Sequence, residues 1–86
     1  MTNELSRTER IEYTKRQDAA YQEGEDAVTR LAAALARAGV ALPSLRNDGP
    51  VGGHGFVHLG GCNAELADRL AEVVEAGAQA LRERHR

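Results

Sequence analysis

Eighty-six residues with a net charge of −2 allow one domain, residues 1–86, and a chain this small buries only about 60–65% of its unfolded surface. The aromatic residues are Tyr13, Tyr21 and Phe56 alone, so the apolar content is mostly Ala, Leu and Val. A core that thin rarely supplies more than about 3–5 kcal/mol without further support. The single cysteine excludes an intrachain disulfide, and no apolar run reaches the roughly 18 residues expected of a membrane span.

Self-association is the support that remains, and a homodimer is expected. Residues 2–18 are charged throughout and unlike a signal peptide, so the expected location is cytoplasmic. Acidic and basic residues interleave, which disfavours nucleic acid, because a binding domain usually gathers a basic face that neutralises several phosphates.

In chain order, residues 1–3 are expected to fray, and Ser6-Arg7-Thr8-Glu9 carries the capping-box pattern of a helix start. No proline follows until Pro43. Tyr21, Gly24, Val28, Leu31, Leu35 and Ala38 recur at steps of three and four, the stripe of one helical face. Glu12–Arg16 and Asp26–Arg30 are i,i+4 pairs with the acid first, the preferred order on a solvent face. Gly39 suits the left-handed position after the helix, Val40 can fold back over it, and Pro43 prevents resumption. Residues 1–18 extend beyond this stripe as a polar extension or helix overhang in which Leu5, Ile11 and Tyr13 are the apolar residues.

Residues 40–63 form a glycine-rich connector with six of the nine glycines, both prolines, two of the three histidines and the cysteine. Residues 42–47 and 56–59 are the extended candidates, with Asp48-Gly49-Pro50 as the turn signal. A short β-hairpin is expected there. Alternation along the second strand puts Val57 and Leu59 on one face, Phe56 and His58 on the other. Leu45 and Phe56 are candidate partner-binding residues, together with Ile11 and Tyr13 of the overhang.

A second helix follows. Asn63 is a good N-cap, Glu65 and Asp68 place negative charge in the first turns, and arginines close the helix. Leu66, Leu70, Val73, Gly77 and Leu81 form its inner stripe, widened by Ala67, Val74 and Ala78. Gly24 and Gly77 each sit mid-helix on an apolar face, where glycine costs about 1 kcal/mol relative to alanine. Close approach of another backbone is the natural compensation. The apolar part of the first helix spans about 27 Å and the second helix about 31 Å, so an antiparallel pair is expected.

Three chemistries compete in the connector. His54, His58 and Cys62 recur every four residues and are zinc-ligand types, but about 13 Å separates such positions in extended chain, too far for one ion. Cys62 precedes the N-cap, where a helix dipole favours thiolate, yet a small buried thiol is the commoner role. Gly60-Gly61 between a strand and a helix imitates a phosphate loop, but neither GxxxxGK[ST] nor GxGxxG is present. No paired carboxylates or Ser/His/Asp arrangement stand out, so no enzyme and no cofactor are expected. Arg82, Arg84, His85 and Arg86 form the nearest thing to a basic patch, in the last turn where the helix dipole favours cations.

The elements LPSL (Leu42 to Leu45), VHLGGCN (Val57 to Asn63) and the Ala/Leu-rich helix after them resemble a group of small, uncharacterised proteins from high-GC actinobacteria. The resemblance covers about half the chain and implies a compact regulatory or accessory protein. The WXG-type secretion substrates, also helical hairpins, differ in their tryptophan and their much shorter connector.

The expected architecture is α+β, mainly α: long helix, short β-hairpin, second helix, packed antiparallel and dimeric. The expected function is non-enzymatic, regulatory or accessory, through protein–protein contact with itself and with an unidentified protein. A thiol- or metal-dependent small-molecule site and a DNA-associated dimer are the alternatives.

Overall fold

Ser6 opens the first helix as the motif requires, its hydroxyl accepting from the Glu9 amide at 3.1 Å. The helix, α1, spans Arg7–Arg37. The computed structural model describes residues 6–85, so the expectations for residues 1–5 and Arg86 lie outside the described residues. At 1.5 Å per residue α1 is about 46 Å long. Its first ten residues are exposed on every side.

The helix ends in a complete Schellman motif. The Val40 amide donates to the Leu35 carbonyl at 2.9 Å and the Gly39 amide to Ala36 at 3.0 Å. Gly39 adopts φ 73°, which a side chain would resist. Leu35 and Val40 are both buried, the apolar closure that this motif carries. The chain is thereby turned back along α1.

Two strands follow, β1 at Arg46–Asn47 and β2 at Val57–His58. They pair antiparallel with Arg46 opposite His58 and Asn47 opposite Val57. The Asp48 amide extends the ladder to the Phe56 carbonyl at 2.9 Å. Beyond that point the register slips: Val51 and His54 exchange two hydrogen bonds, so Gly49 and Pro50 oppose Gly55 alone. This is a bulge, with the extra residue on the first strand.

The turn lies further along than Asp48-Gly49-Pro50 suggested. It is the pair Gly52-Gly53, with φ 59° and 81°, the two positive values of a type I′ hairpin loop. Asp48-Gly49-Pro50 supplies the bulge instead, because the proline cannot donate to the ladder and leaves its residue unpaired.

The last element is α2, Ala64–Arg84, capped by Asn63 Oδ1, which accepts from the Leu66 amide at 2.8 Å. The fold is thus mainly helical, with a two-stranded antiparallel hairpin between two helices. The expected antiparallel packing of those helices is corrected: α1 packs on both strands, and α2 packs on none of the other elements. The reason is local. The stretch of α1 around Ala20 and Gly24, where a second helix was expected, is already covered by the hairpin. α2 is tied to the rest by Arg69, whose guanidinium donates to the Gly39 carbonyl at 2.8 Å, just beyond the electronegative end of α1.

The core is accordingly slight. Ala20, Leu35 and Val40 are its buried apolar members, and no described side chain is fully buried. In α2 nothing is buried, and only Leu66, Leu70 and Val73 are half-covered.

Candidate functional site

The seam between α1 and the hairpin is where hydrogen bonds join separate elements. Gly24 lies at its centre, flanked by Glu23 and Glu25 on the rims of the same helical face. Asn47, whose side chain faces the helix, donates through Nδ2 to the Tyr21 carbonyl and to Glu25 Oε1, each at 3.0 Å. Its Oδ1 accepts from the Gly49 amide at 2.8 Å, which closes an Asx turn at the start of the bulge. On the other rim the Gly55 amide donates to Glu23 Oε1 at 3.1 Å.

Two glycines permit this approach. A Cβ on Gly24 would meet Asn47 Oδ1 at 2.7 Å, and one on Gly55 would meet the Ala20 carbonyl at 2.7 Å. The compensation expected for Gly24 is therefore present within the chain. Ala20, not Tyr21, continues the buried stripe toward the N-terminus, since only a methyl fits beneath the hairpin; Tyr21 is 51% exposed and takes part through its carbonyl.

The four candidate partner residues are placed in three settings. Leu45 is half-buried just before β1. Phe56 is 48% exposed on the hairpin face turned away from α1, the face that also carries Arg46, Asp48 and His58. Ile11 and Tyr13 are exposed on the N-terminal part of α1. The Arg46–Asp48 ion pair on that outer hairpin face is 3.9 Å long with both partners more than half exposed, so it contributes little to stability.

The connector does not assemble a ligand set. His54 sits in the turn bridge and is exposed, His58 is half-buried in β2, and Cys62 is an exposed free thiol. Among the described residues no group of three or more His, Cys, Asp or Glu side chains could hold a metal ion. Arg82, Arg84 and His85 are exposed at the end of α2. Two surface depressions are each lined by a single stretch of α1, one by Arg7, Arg10, Ile11, Thr14 and Lys15, the other around Ala27, Leu31 and Ala34. A hollow on one helix face brings no groups together from different elements.

The surface that sequence reasoning missed is the apolar face of α2. It was assigned to the interior because its periodicity is that of a buried stripe, yet Val74 is 61% and Leu81 53% exposed. Gly77 reports the same exposure: a Cβ there would meet nothing within 4 Å, unlike one on Gly24. Among the described residues no helix is long and apolar enough to cross a membrane. No protein-family model, no curated protein and no solved structure matches the chain.

Proposed function

We propose that this chain is a small non-enzymatic accessory or regulatory protein that acts by protein–protein contact, and that it works as a homodimer. The observation that carries this reading is the accessible surface, 7033 Å². A folded monomer of 9.3 kDa should expose about 5,000 Å². The radius of gyration points the same way: it is 18.3 Å, against about 12 Å for a compact chain of this length. Three buried apolar residues do not offset the ordering of two long helices, each residue of which costs roughly 1–2 kcal/mol in backbone entropy. The missing burial is supplied by other chains.

Within such an assembly the outer hairpin face, with Phe56 at its middle, is the surface we assign to a second protein. It lies opposite the face that is bonded to α1 at Gly24 and contributes nothing to that seam.

Multi-angle light scattering over a concentration series tests the reading. The expected mass is twice that of the 9.3 kDa chain, with helicity lost on dilution in step with dissociation. A monomer that melts cooperatively at a concentration-independent temperature overturns it.

A further inference from the structure

The hairpin has two open edges, and they differ. That of β1 carries Arg46, Asp48 and Pro50 and breaks at the bulge, features that discourage a further strand. That of β2, Phe56-Val57-His58-Leu59, has no proline, bulge, carboxylate, lysine or arginine. Among the described residues no element covers it: α1 packs beneath both strands, and α2 packs on neither. We infer that this edge pairs antiparallel with the same edge of a second copy, about a twofold axis at His58, joining the two-stranded hairpins into one sheet.

The bonding of the hairpin fixes which groups are free for this. The Asp48 amide bonds the Phe56 carbonyl, and Arg46 stands opposite His58, so Val57 between them turns its amide and carbonyl away from β1. The same register runs on to Gly60, where a Cβ would collide with that of Ser44, so Leu59 also directs its backbone outward. Gly55 is different, because its amide is committed to Glu23 Oε1 at 3.1 Å. An axis at Val57 would need that amide for Leu59 of the other copy. An axis at His58 needs only Val57 and Leu59, each exchanging a pair of hydrogen bonds with the other across the new junction.

The side chains suit that axis. On the face toward α1, Leu59, 52% exposed in the single chain, meets Val57 of the other copy. On the outer face Phe56 lies beside Gly60 of the other copy, which has no side chain to cover it, so the surface assigned above to a second protein stays open. Beneath the sheet the two α1 helices run antiparallel and at least about 10 Å apart, which leaves room for both.

Their facing flanks are complementary. Gly55, on the β2 side, bonds Glu23 and Asn47 of β1 bonds Glu25, so Glu23 marks the flank nearer the axis. Counted from Gly24, which faces the hairpin, Ala27, Ala34, Glu23 and Arg30 lie on that flank at about 60°, 80°, 100° and 120°. Gly55 touches Ala20, and Asn47, opposite Val57, touches Gly24. β2 therefore runs along α1 in its own direction, and the axis at His58 crosses α1 between Glu23 and Arg30. Reversal about it turns Arg30 of each copy toward Glu23 of the other, whose second carboxylate oxygen is open to a guanidinium.

This pairing rests on the self-association proposed above, and the test separates the two. In a Cys62→Ser background, His58→Cys should give a covalent dimer on mild oxidation of the full chain. Opposed residues of a non-hydrogen-bonded antiparallel pair have Cα atoms about 4.5 Å apart, within disulfide reach. Asp48→Cys, on the same outer face but on β1, should give none, its copies being about 14 Å apart or more. Leu59→Lys, at a position more than half exposed in the single chain, should weaken dimerisation about tenfold. Arg30→Glu should weaken it about three- to tenfold. A dimer by light scattering in which His58→Cys fails to cross-link, Asp48→Cys cross-links as readily, or Leu59→Lys leaves the affinity unchanged overturns the edge pairing and leaves self-association standing. A monomer overturns both.

Discussion

Asn47 lies so close to Gly24 that a methyl group on that glycine would reach within 2.7 Å of Asn47 Oδ1. The contact joins the hairpin to the long helix, and it is polar. Instead of interlocking large apolar side chains, the seam sets hairpin donors, Asn47 Nδ2 and the Gly55 amide, against Glu25 and Glu23 on either side of a bare stretch of helix.

Replacing either glycine should loosen this seam. Alanine in place of Gly24 would gain about 1 kcal/mol of helix propensity, but the Asn47 amide it displaces is held by three hydrogen bonds. We expect Gly24→Ala to be net destabilising, by about 1 kcal/mol. At Gly55 the obstacle is the Ala20 carbonyl, backbone that cannot swing aside, so Gly55→Ala should cost about 1–3 kcal/mol. Urea denaturation of the two variants beside the parent checks both; a stabilised Gly24→Ala protein would show the seam to be loose.

Asn47→Ala removes both bonds to α1 and the turn bond to Gly49, and should cost about 1–2 kcal/mol. Asn47→Asp should cost more at neutral pH, since it exchanges the donor for a second carboxylate beside Glu25. Hydrogen exchange at the Gly49 amide should separate the two: alanine removes its acceptor and exposes it, whereas an aspartate oxygen at position 47 still accepts from it. Equal stability of the two variants would mean that the contact with Glu25 is not formed.

The turn offers a prediction of opposite sign. With both central residues at positive φ, asparagine is tolerated at the first, so Gly52→Asn should be neutral or stabilise by up to about 1 kcal/mol. Gly53→Val forces a β-branched residue into the left-handed region and should cost about 1–2 kcal/mol. Thermal melts of the pair, at one protein concentration, should move in opposite directions.

Arg69 is the one side-chain hydrogen bond between α2 and the end of α1 among the described residues. It is solvent-exposed, so Arg69→Ala should cost under about 1 kcal/mol. Small-angle scattering should nevertheless register a broader distribution of distances, as α2 is freed to swing; an unchanged profile would show that the Arg69 bond does not fix its direction.

Both helices and their caps were legible because they rest on local chemistry: Ser6 and Asn63 accept amides three residues on, and Gly39 with Val40 closes α1. The hairpin was legible as a hairpin, but its turn was misplaced. Asp48-Gly49-Pro50 and Gly52-Gly53 are both turn signals, and their order of strength is decided by which amides the ladder can use. What lay beyond reach was which partner each apolar stripe would meet. Periodicity marks a face to be covered without naming the cover, so the same reading suited Gly24, which the hairpin covers, and Gly77, which no other segment of the chain does. Asn47 was passed over because asparagine before Asp-Gly reads as a turn residue, and its second role, reaching 26 positions back to Tyr21, leaves no trace in spacing.

The one-residue slip at Gly49 and Pro50 has a consequence for what this scaffold tolerates. It breaks the inward–outward alternation between the clasped base of the ribbon and its apex, where Val51 and His54 both stand in solvent. Cargo spliced between Gly52 and Gly53, such as an epitope or a fluorophore-binding peptide, would hang from the apex without tugging on the clasp, which makes the ribbon a ready mount for engineered loops.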